Sequence, residues 1–371
     1  MTQSKNAVLK PLAPGATIGI LGGGQLGRML AMAAARLGLK THIYSDGRDA
    51  CAFDVAHAHT IGDFDDVSAV EAFARHVDVV TYEFENVPLE AAAAAERAKP
   101  VRPGPKALQV AQDRLAEKRF MAMLGLPVAP FAGLETSPEL GTAGQLIPGP
   151  SILKTRRMGY DGKGQIRLEQ ASGLAGAWAE LGSVPCLLEG FVPFAYEVSV
   201  IAVRDQTGAT RFYDPPRNTH ESGILRTSHV PSGLPPAAIV RAHEIAKRIA
   251  DGLGYIGVLG VELFYMGVGA QEPLVVNEIA PRVHNSGHWT LDACPVSQFE
   301  NHIRAVAGWP LGSTGRHSDA VMTNIIGPEA DSWGERAARG GDCLHLYGKG
   351  LARPGRKMGH VTKLSPRGKP A

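Results

Sequence analysis

The sequence SILKTRRMGYDGKGQIRL, residues 151–168, places a glycine-rich loop between two short apolar runs. The runs at 151–155 and 165–168 predict two strands. Three glycines within residues 159–164 allow the loop backbone to fold over phosphate groups, and Lys154 adds a positive charge beside it. In isolation the same pattern is equally typical of a surface hairpin with solvated charges, so its interpretation depends on the rest of the chain.

Carboxylates follow this loop within or at the ends of apolar runs, namely Glu189, Glu197, Glu262 and Glu278. A carboxylate in an apolar strand is costly unless it is paired or bound to a cation. Glu262 and Glu278, on adjacent strands, would supply the oxygen ligands that Mg²⁺ takes while it also holds phosphates. Either one alone is equally well explained by an ion pair with a buried arginine. Both together, downstream of Lys154, favour a magnesium–nucleotide site.

The segment EIAPRVHNSGHWT, residues 278–290, concentrates hydrogen-bonding and aromatic side chains immediately after these runs. Polar loops that leave a sheet are where substrate contacts usually concentrate, so this segment predicts a substrate site. His288 has a structural alternative, because a histidine in such a segment can serve packing instead.

The pattern GGGQLG at 22–27 follows an apolar run at 17–21 and precedes a helix predicted over 28–37. It fits the dinucleotide fingerprint, and Asp46 stands near where a ribose-binding acid is expected. Glycines and a helix N-terminus favour a phosphate but do not specify which one. A nicotinamide cofactor, another phosphate and plain tight packing therefore all remain open at this point.

Strand-like and helix-like segments alternate up to residue 99, which predicts a parallel sheet with crossover helices. Residues 125–150 are rich in proline and glycine, which indicates a hinge or boundary. Later segments, including an alternating, half-buried strand over 196–204 and a helix over 236–253, indicate an α+β unit. The predicted fold class is therefore α/β followed by α+β.

The bulk properties exclude several classes of protein. With 371 residues the chain is long enough for two or three domains, and its 44% hydrophobic content predicts ordinary globular cores. A formal net charge of +2 predicts neither a nucleic-acid nor a membrane partner. The four cysteines are far apart, and neither a signal peptide nor a membrane span is apparent, so we expect a cytoplasmic protein.

Four segments together closely resemble the N5-carboxyaminoimidazole ribonucleotide synthase family of the ATP-grasp superfamily: GYDGKGQ (159–165), THESGILRTS (219–228), VELF…VNEIAPRVHNSGHWT (261–290) and RPGRKMGH (353–360). The resemblance extends from residue 18 to residue 361. GGGQLGRML at 22–30 matches as well, which accounts for the dinucleotide-like pattern. Met158 is a departure, because the family usually has a second glycine there, and we expect it to stiffen the loop.

The resemblance implies an ATP-grasp architecture with a Rossmann-like N-terminal domain (1–124), a lid (125–192) and a C-terminal grasp domain with a substrate-binding tail (193–371). It implies a homodimer that uses Mg²⁺, with ATP, bicarbonate and aminoimidazole ribonucleotide as substrates. The implied reaction phosphorylates bicarbonate to carboxyphosphate. This intermediate then delivers its carboxyl group, as CO₂, to the exocyclic amine of the ribonucleotide in purine biosynthesis.

The resemblance also implies which residues form the site. ATP is expected to contact Arg114, Lys154, Gly159, Tyr160, Asp161, Gly162, Lys163, Gly164, Gln165, Glu189, Gly190, Phe191, Val192, Glu197, His220, Asn277 and Glu278. The ribonucleotide is expected to contact Gly24, Gln25, Glu83, Arg282, His284, Asn285, Arg353, Arg356 and Lys357. Mg²⁺ is expected on Glu262 and Glu278, and the expected catalytic residues are Tyr160, Asp161, Arg282 and Lys357.

Two of these expectations have a physical argument of their own. Asp161, in a closed glycine-rich loop, either takes the proton of the reacting amine or only orients the loop. The basic turn 353–357 and the helix N-terminus after residues 22–27 are both anion sites, and we expect them to converge on the 5′-phosphate of the substrate.

Three other functions stay open from the sequence. An NAD-dependent dehydrogenase built on the 22–27 loop leaves Lys154, Glu262 and Glu278 without a role. A non-catalytic ATP-binding regulator is disfavoured because the same residues are intact. Another ATP-grasp carboxylase or ligase shares the general layout.

Overall fold

The structure, a computed structural model, describes residues 10–159 and 162–368. The strands are β1 Thr17–Leu21, β2 Lys40–Ser45, β3 Ala58–Ile61, β4 Val79–Tyr82, β5 Phe131–Leu134, β6 Ser151–Thr155, β7 Gln165–Leu168, β8 Cys186–Gly190, β9 Tyr196–Arg204, β10 Thr210–Phe212, β11 Arg217–Glu221, β12 Ile224–Val230, β13 Gly257–Tyr265, β14 Leu274–Ala280, β15 Ser318–Ile326, β16 Asp342–Leu346 and β17 Lys357–Pro366. The α-helices are α1 Gln25–Arg36, α2 Val67–Arg75, α3 Leu89–Ala98, α4 Pro105–Ala111, α5 Arg114–Met123, α6 Glu139–Leu146, α7 Leu174–Glu180, α8 Pro236–Leu253, α9 Thr290–Ala293, α10 Gln298–Val306 and α11 Trp333–Ala337.

The N-terminal strands form a parallel sheet in the order β3-β2-β1-β4, as the alternation of segments predicts. The central strand β1 is buried along nearly its whole length, as a parallel strand covered on both faces must be. Helix α1 begins at Gln25 rather than at the predicted Arg28, so that Gly27 lies in its first turn. β3 was not predicted, because its sequence AHTI contains no apolar run and it lies at the sheet edge.

Residues 125–150, which the sequence predicts to be a hinge or boundary, contain the strand β5 and the helix α6. The prolines do not prevent these elements from forming, because they occupy positions that tolerate proline. Pro138 is the N-cap residue of α6, and Pro130 directly precedes β5. β5 joins an antiparallel sheet in the order β5-β8-β6-β7, and β6 and β7 confirm the two strands predicted around the glycine loop.

The remaining strands form a nine-stranded sheet along the path β14-β13-β9-β11-β12-β15-β17-β16, with β10 paired to β9. The prediction that β9 is half-buried is wrong, because residues 198–203 are all buried. Alternate residues of β9 enter two different cores: Val198 and Val200 pack with α8, and Ile201 and Val203 pack with α10. Both faces of this central strand are therefore covered by helices.

Two further predictions concern membrane-spanning helices and disulfide bonds. In the described part of the chain, no helix combines the length and the apolar character needed to cross a membrane. The cysteines at 51, 186, 294 and 343 are all free thiols.

Met158 lies in the glycine-rich loop with a φ of 62°, in the left-handed region that favours glycine. Its side chain is 74% exposed, so no packing contact offsets the backbone strain. A non-glycine residue in this conformation costs roughly 1–2 kcal/mol. The family usually has a glycine at this position, and the backbone of this chain adopts the left-handed conformation that glycine favours there.

We expect Met158→Gly to stabilise the folded chain by about 1 kcal/mol and to raise its thermal midpoint, because glycine adopts this conformation without strain. Differential scanning calorimetry measures the change. Met123→Gly is the matched control, since Met123 is an equally exposed methionine with helical backbone, and there glycine should lower the midpoint. A midpoint that falls in both variants contradicts the proposed strain at Met158.

Candidate active site

The centre of the candidate site is a pair of carboxylates on two central strands. Antiparallel pairing of β13 and β14 places Glu262 directly opposite Glu278, so the predicted adjacency of these residues is present in the structure. Burial and the charge of Glu278 raise the pKa of Glu262 to about 7. Burial also acts to raise the pKa of Glu278, but Arg114 and Lys154 hold it below its usual value. Such a pair favours a bound cation, which relieves the repulsion.

Arg114, the first residue of α5, joins this acidic pair to the glycine-rich loop. One guanidinium nitrogen lies 2.9 Å from Glu278 Oε2, and the other donates a hydrogen bond to the carbonyl oxygen of Gly159 at 3.0 Å. The Glu278 side chain is still 41% exposed despite this pairing.

A second charged cluster lies beside the loop, where Glu189 on β8 is held between two lysines. Lys154 Nζ is 2.5 Å from Glu189 Oε2, and Lys118 contacts the other carboxylate oxygen. Burial acts to raise the pKa of Glu189, but these lysines lower it to about 2. The cluster therefore carries a surplus positive charge next to the loop, where Lys154 was predicted to supply one.

Lys118 was missed by the sequence analysis, although it is almost fully buried and also donates to the carbonyl oxygen of Asn277 at 2.7 Å. It lies one helical turn after Arg114 on α5, so both side chains point toward the same site. The four-residue spacing from Arg114 could have indicated Lys118, but only if the sequence analysis had predicted the helix α5.

The glycines of the loop adopt conformations that other residues rarely take. Gly162 and Gly164 have φ values of 77° and 68°, and a side chain on Gly164 would come within 2.6 Å of Thr155 Oγ1. Lys163 is exposed between them, and Gln165 begins β7. The predicted site residues Tyr160 and Asp161 lie outside the described residues.

The segment 190–192 links the sheet of the loop to the central sheet. The amide of Gly190 donates to the carbonyl oxygen of Pro130, the amide of Phe191 donates to that of Pro150, and Val192 accepts from the amide of Phe194. These hydrogen bonds fix the backbone of the segment just after Glu189.

Glu197 on β9 and His220 on β11 form an ion pair on neighbouring strands. Burial alone lowers the pKa of His220, but Glu197, Glu262 and Glu278 raise it above its usual value. The imidazole therefore carries a positive charge over a wider pH range than a free histidine does. These two predicted nucleotide contacts lie on the same side of the sheet as the acidic pair.

The segment after β14 brings together the residues predicted to contact substrate. Arg282 is paired with Glu85, a partner that the sequence analysis did not identify. His284 Nε2 lies 3.2 Å from Glu262 Oε1. Burial, with the charges of Arg282 and Lys357, lowers the pKa of His284 to about 3, so its ring is neutral.

Two other polar residues of this segment serve the protein itself. The Asn285 amide exchanges two hydrogen bonds with the buried Asn324 amide, at 2.7 and 3.0 Å. His288 is buried against Phe299, with Nδ1 near the amide of Gln298. The structural alternative for His288 therefore agrees with its surroundings.

A pocket of about 470 Å³ opens between the 22–27 loop and the C-terminal tail. Its lining includes Gly24, Glu83, Lys349 and Arg356. The predicted basic turn thus reaches the glycine loop through Arg356. Lys349, which the sequence analysis missed, is the second cation, and its Nζ donates to the carbonyl oxygen of Lys357 at 2.8 Å.

Arg353 is exposed and lies outside the lining of this pocket. Lys357 is also outside the lining, and it begins β17, near enough to His284 to influence its pKa. That Arg353 and Lys357 converge with the glycine loop on the 5′-phosphate of the substrate stays a prediction.

The prediction that the N-terminus of α1 offers its amides to a phosphate also needs correction. The Glu83 carboxylate already accepts hydrogen bonds from the amides of Gly24 at 2.8 Å and Gly27 at 3.1 Å. A side chain on Gly24 would meet Glu83 Oε1 at 2.6 Å, so this glycine makes room for the carboxylate. Gln25 follows as the first helical residue. The amides of Gly24 and Gly27 therefore bind the protein's own Glu83 carboxylate.

Three family models match successive parts of the chain. The ribonucleotide synthetase preATP-grasp domain matches residues 15–112, and the ATP-grasp domain matches residues 119–299. The phosphoribosylaminoimidazole carboxylase C-terminal domain matches residues 320–369. The fold and the site together define an ATP-grasp ligase.

The N5-carboxyaminoimidazole ribonucleotide synthase of Brucella melitensis is 48% identical to this chain, over 96% of this chain and 98% of the relative. N5-carboxyaminoimidazole synthetase from Staphylococcus aureus, solved with ADP, is 35% identical with a TM-score of 0.91, over 97% of this chain and 96% of that one. N5-carboxyaminoimidazole synthase from Aspergillus clavatus, solved with ADP and 5-aminoimidazole ribonucleotide, is 30% identical with a TM-score of 0.87, over 95% of each chain. The chain belongs to the N5-carboxyaminoimidazole ribonucleotide synthase family, which excludes the dehydrogenase alternative.

We expect Glu278→Gln to lower kcat by roughly 100-fold or more with the fold intact, because the amide keeps the size but removes an anionic ligand and the partner of Arg114. Steady-state kinetics and circular dichroism measure the two effects. Glu272→Gln is the matched control, because it also breaks a glutamate–arginine pair (with Arg241), and it should leave kcat nearly unchanged. Wild-type turnover by Glu278→Gln at ordinary Mg²⁺ concentrations contradicts the role of this carboxylate.

Proposed function

We propose that this chain catalyses the ATP-dependent carboxylation of 5-aminoimidazole ribonucleotide with bicarbonate. The products are N5-carboxyaminoimidazole ribonucleotide, ADP and phosphate, in purine biosynthesis. The observation that carries this proposal is the facing pair Glu262–Glu278, flanked on one side by the cationic loop cluster and on the other by Arg282 and His284. That arrangement provides for a nucleotide and a second substrate around one acidic centre.

ATP would lie between the loop and the central sheet. Lys154 and Arg114 supply positive charge for its phosphates, and the backbone of the glycine loop can close over them. The nucleoside part of ATP would contact Glu197, His220 and residues 189–192. The relatives solved with ADP share this architecture, which supports the proposal.

Glu262 and Glu278 would hold Mg²⁺, because two carboxylate oxygens that repel each other suit a hard divalent cation. A bound Mg²⁺ neutralises charge on the transferring phosphate group. Arg114 and Lys154 would act from the other side by stabilising the charge that develops as ADP leaves.

The reaction has two stages. A bicarbonate oxygen attacks the γ-phosphorus of ATP, and ADP leaves, which gives carboxyphosphate. Carboxyphosphate then breaks down to CO₂ and phosphate, and the exocyclic amine of the ribonucleotide forms a bond to the CO₂ carbon and loses a proton. Arg282, fixed by Glu85, and the neutral His284 would position the reactants. We propose Asp161 as the proton acceptor and Tyr160 as a second catalytic residue.

The pocket beside residues 22–24 would take the phosphorylated ribose. Lys349 and Arg356 supply its cations, and Glu83, with two glycine amides bonded to it, can accept hydrogen bonds from ribose hydroxyls. Lys357, near His284, would act closer to the imidazole. We propose weaker substrate contacts for Arg353, because it is exposed, and for Asn285, because its amide is hydrogen-bonded to Asn324.

We further propose that the sheets correspond to three domains with boundaries at residues 124 and 192, of which the middle one is the lid. We also propose a homodimer in the cytoplasm, which agrees with the free thiols at the cysteine positions.

We expect rapid ADP release only when ATP, bicarbonate and aminoimidazole ribonucleotide are all present, because carboxyphosphate is productive only in front of the amine. A coupled ADP assay, with ¹³C-bicarbonate to trace the label into the ribonucleotide, measures this dependence. Glu278→Gln provides the background rate. ADP release that is equally fast without bicarbonate or without the ribonucleotide contradicts the proposal and favours another ATP-grasp ligase.

The pH dependence of substrate binding should depend on Lys349. Burial and the charge of Arg356 lower the pKa of Lys349 to about 8, so its ammonium loses its proton as pH rises through that value. We therefore expect kcat/KM for the ribonucleotide to fall above about pH 8, while the dephosphorylated nucleoside shows little change. Lys349→Arg keeps its charge and should move this fall to higher pH. If the pH profile of kcat/KM for Lys349→Arg is the same as that of the wild type, the proposed contact between Lys349 and the substrate phosphate is contradicted.

A further inference from the structure

A cluster of metal-binding side chains lies away from the acidic pair, where α9 meets the strands β16 and β17. His345 on β16 faces His360 on β17 in the strand register, and their rings stack with centroids 4.3 Å apart. Asp292 on α9 adds a carboxylate whose two oxygens are both 3.0 Å from His345 Nε2. One ligand atom from each of the three residues lies within 4.8 Å of the others.

His360 provides a second, independent observation. It is fully buried, and its Nδ1 is hydrogen-bonded to the hydroxyl of Tyr347 at 2.8 Å. Its Nε2 has no hydrogen-bond partner among the described residues. A buried polar atom without a partner is costly, and a metal ion is one of the ligands that can satisfy an imidazole nitrogen. The Tyr347 bond fixes the ring and leaves Nε2 as the atom available for a ligand.

Cys343 brings a sulfur atom to the same place. It lies two residues before His345, so its side chain points to the same face of β16. The Asp292 carboxylate lies close enough to this thiol to interact with it electrostatically. Two imidazoles, a carboxylate and a nearby thiol form a donor set typical of Zn²⁺, whereas Mg²⁺ prefers oxygen ligands alone.

We propose that Asp292, His345 and His360 form a binding site for a divalent transition-metal ion such as Zn²⁺, with Cys343 as the donor for a fourth position. Ligands of one tetrahedral zinc ion lie about 3.3 Å apart, so the three side chains need only a small approach. His345 makes this movement by turning out of the ring stack. It can do so because β16 is the terminal strand of the sheet and the His345 side chain is 29% exposed.

Metal binding here would tie α9 to the last two strands of the central sheet. The connection between these strands, residues 347–356, carries Lys349 and Arg356 of the proposed phosphate pocket. α9 follows directly after the segment that holds His284. A metal ion would therefore brace the tail against the substrate site without touching the reacting atoms.

The test uses the full chain after treatment with a chelator, in millimolar Mg²⁺ so that the acidic pair is occupied. Co²⁺ is titrated as the spectroscopic probe, and Zn²⁺ is then added as competitor. We expect one equivalent of Co²⁺ to bind with the visible absorption of a tetrahedral site, Zn²⁺ to displace it, and saturating Zn²⁺ to raise the thermal midpoint by about 2–4 °C.

The variants His345→Gln and Asp292→Asn should each weaken Co²⁺ binding by roughly 100-fold, since each removes a direct ligand. His229→Gln, at an exposed histidine of β12, is the matched control and should bind as the wild type does. Cys343→Ser should retain the visible bands but lose the charge-transfer band that a thiolate ligand gives. Wild-type protein that binds no Co²⁺ at micromolar concentration overturns the proposal, whether or not the variants fold. Unchanged affinity in both ligand variants also overturns it.

Discussion

The repulsion between Glu262 and Glu278 is the constraint around which the site is organised. Strand pairing fixes these carboxylates opposite each other, where both cannot be charged without a compensating cation. Arg114 provides part of the compensation, and the same guanidinium holds the carbonyl oxygen of Gly159. The position of the glycine-rich loop is therefore coupled to the charge of the acidic pair.

The charged cluster around Glu189 is organised in the same way, but here one negative charge separates two positive charges. Glu189 lies between Lys118 and Lys154, so that one carboxylate keeps two buried ammonium groups in place. Without Glu189 the lysines would repel each other, and without the lysines its carboxylate would be too costly to bury. The triad therefore carries one surplus positive charge beside the glycine-rich loop.

The glycine pattern at 22–27 illustrates how one local motif serves different chemistry in different tertiary surroundings. In a dinucleotide-binding protein the amides of such a turn face a pyrophosphate. Here Glu83 from the end of β4 accepts the amides of Gly24 and Gly27. The motif identifies a place where an anion meets a helix N-terminus, and the chain itself supplies that anion. Only the pairing of β1 with β4 makes this possible.

The sequence by itself determined the parallel N-terminal sheet, the strands around the glycine loop, the placement of Glu262 and Glu278 on adjacent strands, and the family. These features depend on local periodicity or on contiguous motifs, which a chain carries without reference to its fold. Only the tertiary structure decided which charges meet. Lys118, Glu85 and Asn324 lie far in sequence from the residues they contact, on elements that carry no motif or were not predicted. Electrostatic pairing acts through space, so the partners of Glu189, Arg282 and Asn285 became apparent only when separate sheets were brought together.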